Sequence, residues 1–158
     1  MSKISPCLWF DGKAEEAARF YVSLLPGSGI DHVARYTGDG PGGAAGDVLV
    51  VDFTLAGASY QALNGGPHYQ FTPAISLSVA CDDQAEVDRL WDALLEGGAP
   101  QQCGWLTDRY GVSWQIIPRA FIEMMKSPET AKVARATEAM MGMVKLDVAA
   151  LQRAFHGK

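Results

Sequence analysis

Residues 103–118, CGWLTDRYGVSWQIIP, read as two strands joined by a tight turn at Asp108-Arg109-Tyr110-Gly111. Working back from that hairpin, Asp83 to Glu96 is a helix with Val87, Leu90, Trp91 and Leu94 on one face. Asp83 and Glu86 open it in capping-box spacing, and Gly97-Gly98 closes it. A strand, Ala74 to Ala80, precedes the helix.

The same order stands earlier in the chain. Ile4 to Phe10 is a strand entered through Ser5-Pro6, and Lys13 to Leu25 is an amphipathic helix. Its apolar face is Ala14, Ala17, Ala18, Tyr21, Leu24 and Leu25, and Pro26-Gly27 ends it. Strands follow over Ile30 to Tyr36, Asp47 to Leu55 and Ala58 to Leu63, with a mobile glycine-rich surface loop expected over Thr37 to Gly46. Two copies of one unit at an offset of roughly 70 residues suggest paired βαβββ modules, since a unit that cannot bury its sheet face alone can do so beside a copy of itself. The expected organisation is α+β: residues 1–66 as the first module, 67–118 as the second and 119–158 as a helical extension, together one structural unit. In the extension, Ser127-Pro128 has N-cap and N1 chemistry, Val133, Thr137, Met140 and Val144 mark a helical stripe, and Asp147 starts a last helix through Leu151 and Phe155.

The bulk numbers narrow the function. The 158 residues suffice to bury a sizeable core, and 13 basic against 18 acidic residues give a formal charge of −5, which opposes nucleic acid and anionic lipid as partners. No segment has membrane-spanning length, and MSKISPCLWF lacks the features of a signal peptide, so a cytoplasmic location is expected. Cys7, Cys81 and Cys103 show neither CxxC nor Cys/His spacing, as free thiols in a reducing compartment would.

Paired βαβββ modules with a Phe20-Tyr21 pair in the first helix resemble the vicinal oxygen chelate superfamily, which includes glyoxalase I, bleomycin-resistance proteins and extradiol dioxygenases. LWFDGKAEEAARFYVSLLP, ALNGGPH, VDRLWDALLEGG, QQCGWLTDRYGVSWQIIP and KLDVAALQRA look like its PhnB-like branch, often described as 3-demethylubiquinone-9 3-methyltransferase-like. The resemblance implies a glyoxalase-like eight-stranded cup, a homodimer, and metal ligands drawn from the first and last strands of both modules. In metal-dependent relatives a glutamate often follows an Asp-x-x-Gly turn on the last strand, and here that position is Gln115, with Gln61 as its plausible equivalent in the first module. Neither opening strand contains His, Asp or Glu, and only Cys7 could bind metal strongly. Neutral amides hold divalent ions weakly, so no cofactor and no tight metal are expected, a weakly held divalent ion at most.

The candidate ligand-binding residues are therefore Gln61 and Gln115 as hydrogen-bonding amides, Asn64 at the rim, and Phe10 and Trp105 as aromatic walls. His68, after Leu63-Asn64-Gly65-Gly66-Pro67, is the candidate acid or base, and an exposed loop histidine is the plainer reading. The loop over Thr37 to Gly46 lacks Gly-Lys-Ser/Thr and leads into a strand, so it is no phosphate cradle. The reading that results is a binder of a small apolar or aromatic molecule. Its alternatives are a metal-assisted isomerase or lyase of glyoxalase type and the methyltransferase that the family description implies.

Overall fold

The computed structural model describes residues 2–158. The chain divides into two compact units, Met1–Phe71 and Thr72–Lys158. The first contains β1 (Cys7–Phe10), α1 (Ala14–Val22), β2 (Gly29–Arg35), β3 (Val48–Leu55) and β4 (Ala58–Asn64) in a four-stranded sheet of order β1-β4-β3-β2. β1 runs parallel to β4, and the other pairs are antiparallel. The opening strand is shorter than its apolar run because Pro6 has no N–H to give; its carbonyl instead accepts from the Gln61 N–H at 2.9 Å.

Alternation along the strands separates two faces. Leu8, Phe10, Val51, Phe53, Leu55 and Ala62 are buried, as are Ala14, Ala17, Ala18 and Tyr21 of α1. Three alanines on the inner side of α1 allow its backbone to lie close to the sheet. The other face carries Cys7, Trp9, Gln61 and Asp52 and has no helix of this unit on it.

The glycine-rich segment after β2 has a defined shape. The Tyr36 hydroxyl donates to the Asn64 carbonyl at 2.7 Å and accepts from the Gly42 N–H at 3.1 Å, while the Gly46 N–H donates to the Tyr36 carbonyl at 2.8 Å. A Cβ on Gly42 would fall 2.0 Å from the Asn64 carbonyl oxygen. This glycine serves close backbone approach, which composition alone reads as mobility.

The second unit repeats the order with β5 (Ser76–Cys81), α2 (Gln84–Leu95), β6 (Ala99–Pro100), β7 (Trp105–Thr107) and β8 (Ser113–Pro118) in a sheet of order β5-β8-β7-β6. The Asp83 carboxylate caps α2 by accepting from the Glu86 N–H at 2.9 Å, and Glu86 reaches back to the Asp82 N–H at 3.0 Å, one residue beyond the usual box. The β7–β8 turn is built around Asp108. Its carboxylate, 3% exposed, accepts from the N–H groups of Tyr110 (2.8 Å) and Val112 (3.0 Å) and from Trp114 Nε1 (2.9 Å).

Three helices follow: α3 (Arg119–Met125), α4 (Thr130–Met141) and α5 (Val148–His156). They close around Phe121, Met124, Ala136, Leu146 and Leu151, with Ile117 of β8 packed against the same cluster. Asp147 caps α5 as expected, accepting from the Ala150 N–H at 2.9 Å. Ser127-Pro128 does not start α4. The helix begins at Thr130, and the Ser127 hydroxyl accepts from the Glu129 N–H at 3.2 Å in a local turn that resolves the end of α3. The expected stripe also shifts, because Ala136 is the fully buried residue of α4 while Val144 lies beyond the helix and is exposed. Gln84 ties α2 to this extension, donating to the Leu146 carbonyl at 3.1 Å and accepting from the Val148 N–H at 2.7 Å.

Candidate functional site

The strand registers settle which residues share a row in each sheet. In the first sheet Cys7 pairs with Gln61, Gln61 with Asp52, and Asp52 with His32, giving the row Cys7–Gln61–Asp52–His32. In the second, Ser78 pairs with Gln115 and Gln115 with Trp105, while the Gln101 N–H donates to the Trp105 carbonyl, giving Ser78–Gln115–Trp105–Gln101. Gln61 and Gln115 thus hold equivalent positions in their two modules, beside Cys7 and Ser78. Sequence reasoning overlooked Asp52 and His32 as members of such a row. The signal was present in VLVVDFTL, where a lone carboxylate alternates against buried Val51 and Phe53.

Each amide is held by a neighbour in its own sheet. Gln61 Nε2 donates to Asp52 Oδ1 at 3.0 Å, and Gln115 Nε2 is 2.9 Å from the Ser76 hydroxyl. A recess of about 500 Å³ opens in the first unit and is lined by residues 2–5 together with Asp31, Asp52, Phe53, Ser59, Tyr60 and Gln61. Burial pushes the Tyr60 phenol up from its ordinary value.

These donors do not fit a tight metal centre. The first- and last-strand positions supply one thiol, one hydroxyl and two neutral amides. Among the described residues no group of three His, Cys, Asp or Glu side chains is arranged to hold a metal ion. Burial, reinforced by the Asp52 charge, raises the Cys7 thiol above its ordinary range and so disfavours the thiolate a metal would need.

The other sequence candidates are placed differently. Asn64 is 5% exposed and committed to the backbone: its Oδ1 accepts from the Ala14 N–H at 2.9 Å and its Nδ2 donates to the Val48 carbonyl at 3.0 Å. It therefore caps α1, whose preceding residue, Lys13, makes no side-chain cap. Phe10 points to the helix-covered face, edge-on to Phe71 at 5.3 Å. Trp9 is the β1 aromatic on the uncovered face, its Nε1 donating to the Gly66 carbonyl at 2.8 Å and its ring edge-on to Tyr69. A Cβ on Gly65 would meet that indole at 2.4 Å, so the Asn64-Gly65-Gly66 motif is accounted for by packing. Trp105 is half-buried on β7, and His68 is exposed in the segment after β4.

The thiols differ sharply. Cys81 has no exposed surface, and burial, with the Glu86 and Asp82 carboxylates nearby, pushes its pKa up to about 12. Iodoacetamide at pH 8 should leave Cys81 unmodified in the folded protein and label it only in denaturant, as read by peptide mass spectrometry. Labelling of Cys81 at the rate of an exposed thiol would contradict this packing.

The profile of the family described as "3-demethylubiquinone-9 3-methyltransferase" matches residues 2–117. A solved structure described as a putative 3-demethylubiquinone-9 3-methyltransferase, PhnB protein, from Bacillus cereus is 38% identical. The match spans 74% of this chain and 99% of that one, with a TM-score of 0.68. Protein PA1353 from Pseudomonas aeruginosa is 26% identical over 75% of this chain and 98% of that one, with a TM-score of 0.62. No curated protein matches. The family match ends within β8, so α3, α4 and α5 lie beyond it.

Proposed function

This chain belongs to the 3-demethylubiquinone-9 3-methyltransferase family, in its PhnB-like branch, and from that premise we propose that it binds a small apolar or aromatic molecule without a tightly held metal. The placement is consistent with the vicinal oxygen chelate superfamily. The observation that carries the reading is the pair of equivalent rows, with Gln61 and Gln115 where anionic or imidazole ligands would have to stand. Amides in such places offer hydrogen bonds in two directions, and Trp105 offers a flat apolar surface beside one of them. Phe10 and Asn64 contribute by fixing β1 and α1 rather than by contact.

The methyltransferase description finds little support in the residues. S-adenosylmethionine enzymes of the Rossmann type place glycines between a strand and a helix at the edge of a parallel sheet. Both sheets here are mixed and four-stranded, and the glycine-rich segment leads into β3. A binding protein working as a homodimer in a reducing cytoplasm accommodates the three free thiols.

Metal analysis and native mass spectrometry of protein purified without chelators test the proposal together. The expected result is no stoichiometric zinc, nickel or manganese and no S-adenosylmethionine adduct, and, in a separate thermal melt, an unchanged melting temperature at saturating S-adenosylmethionine. A full equivalent of metal that is lost in Gln61→Ala or Gln115→Ala would refute the metal-free reading.

A further inference from the structure

We propose that the second sheet binds the polar end of the ligand as an uncharged group that both donates and accepts hydrogen bonds, a carboxamide or hydroxyl on a flat apolar body, with Ser113 as its central contact. The inference rests on the small-molecule reading above and names the chemistry of the group held beside Gln115 and Trp105.

Its starting point is a buried hydroxyl with nothing to bond. Ser113 is 1% exposed, and its Oγ has no hydrogen-bond partner among the described residues. A polar atom left in that state costs stability, so it calls for a reason. Successive residues of β8 alternate between faces, so Ser113 shares a face with Gln115, opposite Trp114 and Ile116.

Register supplies the surroundings. Ser113 pairs with Ser76 on β5 and with Thr107 on β7, so three hydroxyl side chains cross the sheet in one row. The outer two are engaged from the adjacent row: the Gln115 amide is 2.9 Å from the Ser76 hydroxyl, and the Gln101 amide bonds to the Thr107 hydroxyl. Whichever way each amide is turned, its pair with a hydroxyl uses one donor and one acceptor and leaves one of each to offer. The Ser113 hydroxyl between them offers both. Ser76, Thr107, Gln115 and Trp105 around it all keep part of their surface exposed.

None of these side chains carries a charge. A carboxylate or an ammonium held here would lose hydration with no opposite charge to replace it. A wholly apolar group would leave the Ser113 hydroxyl as unpaired as before. A neutral amide or hydroxyl matches the row in both directions, and the Trp105 ring gives the body attached to it a flat surface to lie on. The first sheet differs in this respect, because its equivalent row carries Asp52 and His32.

Four probes with one ring and different substituents test this in the full chain: benzamide, toluene, benzoate and benzylammonium. Each is titrated while the Trp105 indole and the Gln101 and Gln115 side-chain amides are followed by NMR. Benzamide is expected to shift these resonances with an affinity about tenfold above each of the other three, and with little dependence on salt. Ser113→Ala should bring benzamide down to the affinity of toluene while keeping or raising the melting temperature, because it deletes a buried hydroxyl that has no partner. A Ser113→Ala variant that melts at a clearly lower temperature and keeps the benzamide preference would overturn the inference and show the hydroxyl to be structural. Equal binding of toluene, or tighter binding of either ion, would overturn the neutral assignment and leave the small-molecule reading standing. Silence of these resonances with all four probes would overturn both at the second sheet.

Discussion

Asp108→Ala is expected to destabilise the second unit by roughly 3–5 kcal/mol, because two buried donors and one part-buried donor lose their acceptor at about 1–3 kcal/mol each. The carboxylate accepts from the N–H groups of Tyr110 and Val112 and from Trp114 Nε1, and alanine removes the acceptor of all three, the last two of them buried. Asp108→Asn keeps one oxygen, which can serve the two backbone donors, but sets an NH₂ against the Trp114 N–H. Its loss should be intermediate, about 2 kcal/mol. Urea denaturation followed by tryptophan fluorescence reads both variants, because Trp114 is itself a partner. A change below about 1 kcal/mol in Asp108→Ala would show that the turn does not depend on this carboxylate. The consequence for the site is direct, since the turn sets where β8 begins and hence which face Gln115 occupies.

The second large effect is expected at Asn64. Asn64→Ala removes the cap of α1 and a bond to Val48 together, leaving one buried donor and one part-buried acceptor without these partners, at a cost of about 2–4 kcal/mol. For a chain of this length that corresponds to a fall in Tm of roughly 5–15 °C. Asn64→Asp keeps the acceptor for the Ala14 N–H but turns a carboxylate oxygen toward the Val48 carbonyl, so it should recover little. If Asn64 were instead a ligand contact, Asn64→Ala would keep the melting temperature and lose affinity for a small aromatic ligand. The structure leads to the opposite expectation.

Much of the fold could be read in the chain because its signals are local. The apolar spacing of Ala14, Ala17, Ala18 and Tyr21, the cap at Asp83, the cap at Asp147 and the turn at Asp108 through Gly111 each depend on residues within a few positions of one another. The helix α3 leaves no local boundary signal because it follows β8 without a break, and Ser127-Pro128 does not fix the start of α4 because the pair suits a turn as well as a helix entry. Composition reads the glycine-rich segment as mobile and does not reveal that Gly42 must approach the Asn64 carbonyl or that the Tyr36 hydroxyl bonds within the segment.

The candidate site divides along the same line. Amides in place of carboxylates at Gln61 and Gln115 are a property of the sequence, and the argument against a tight metal follows from side-chain chemistry alone. Which neighbours stand beside those amides could not be read, because register joins residues far apart in the chain and a shift of one position moves a side chain to the opposite face. Only the folded sheets put Asp52 beside Gln61 and drew Asn64 inward to cap a helix fifty positions earlier.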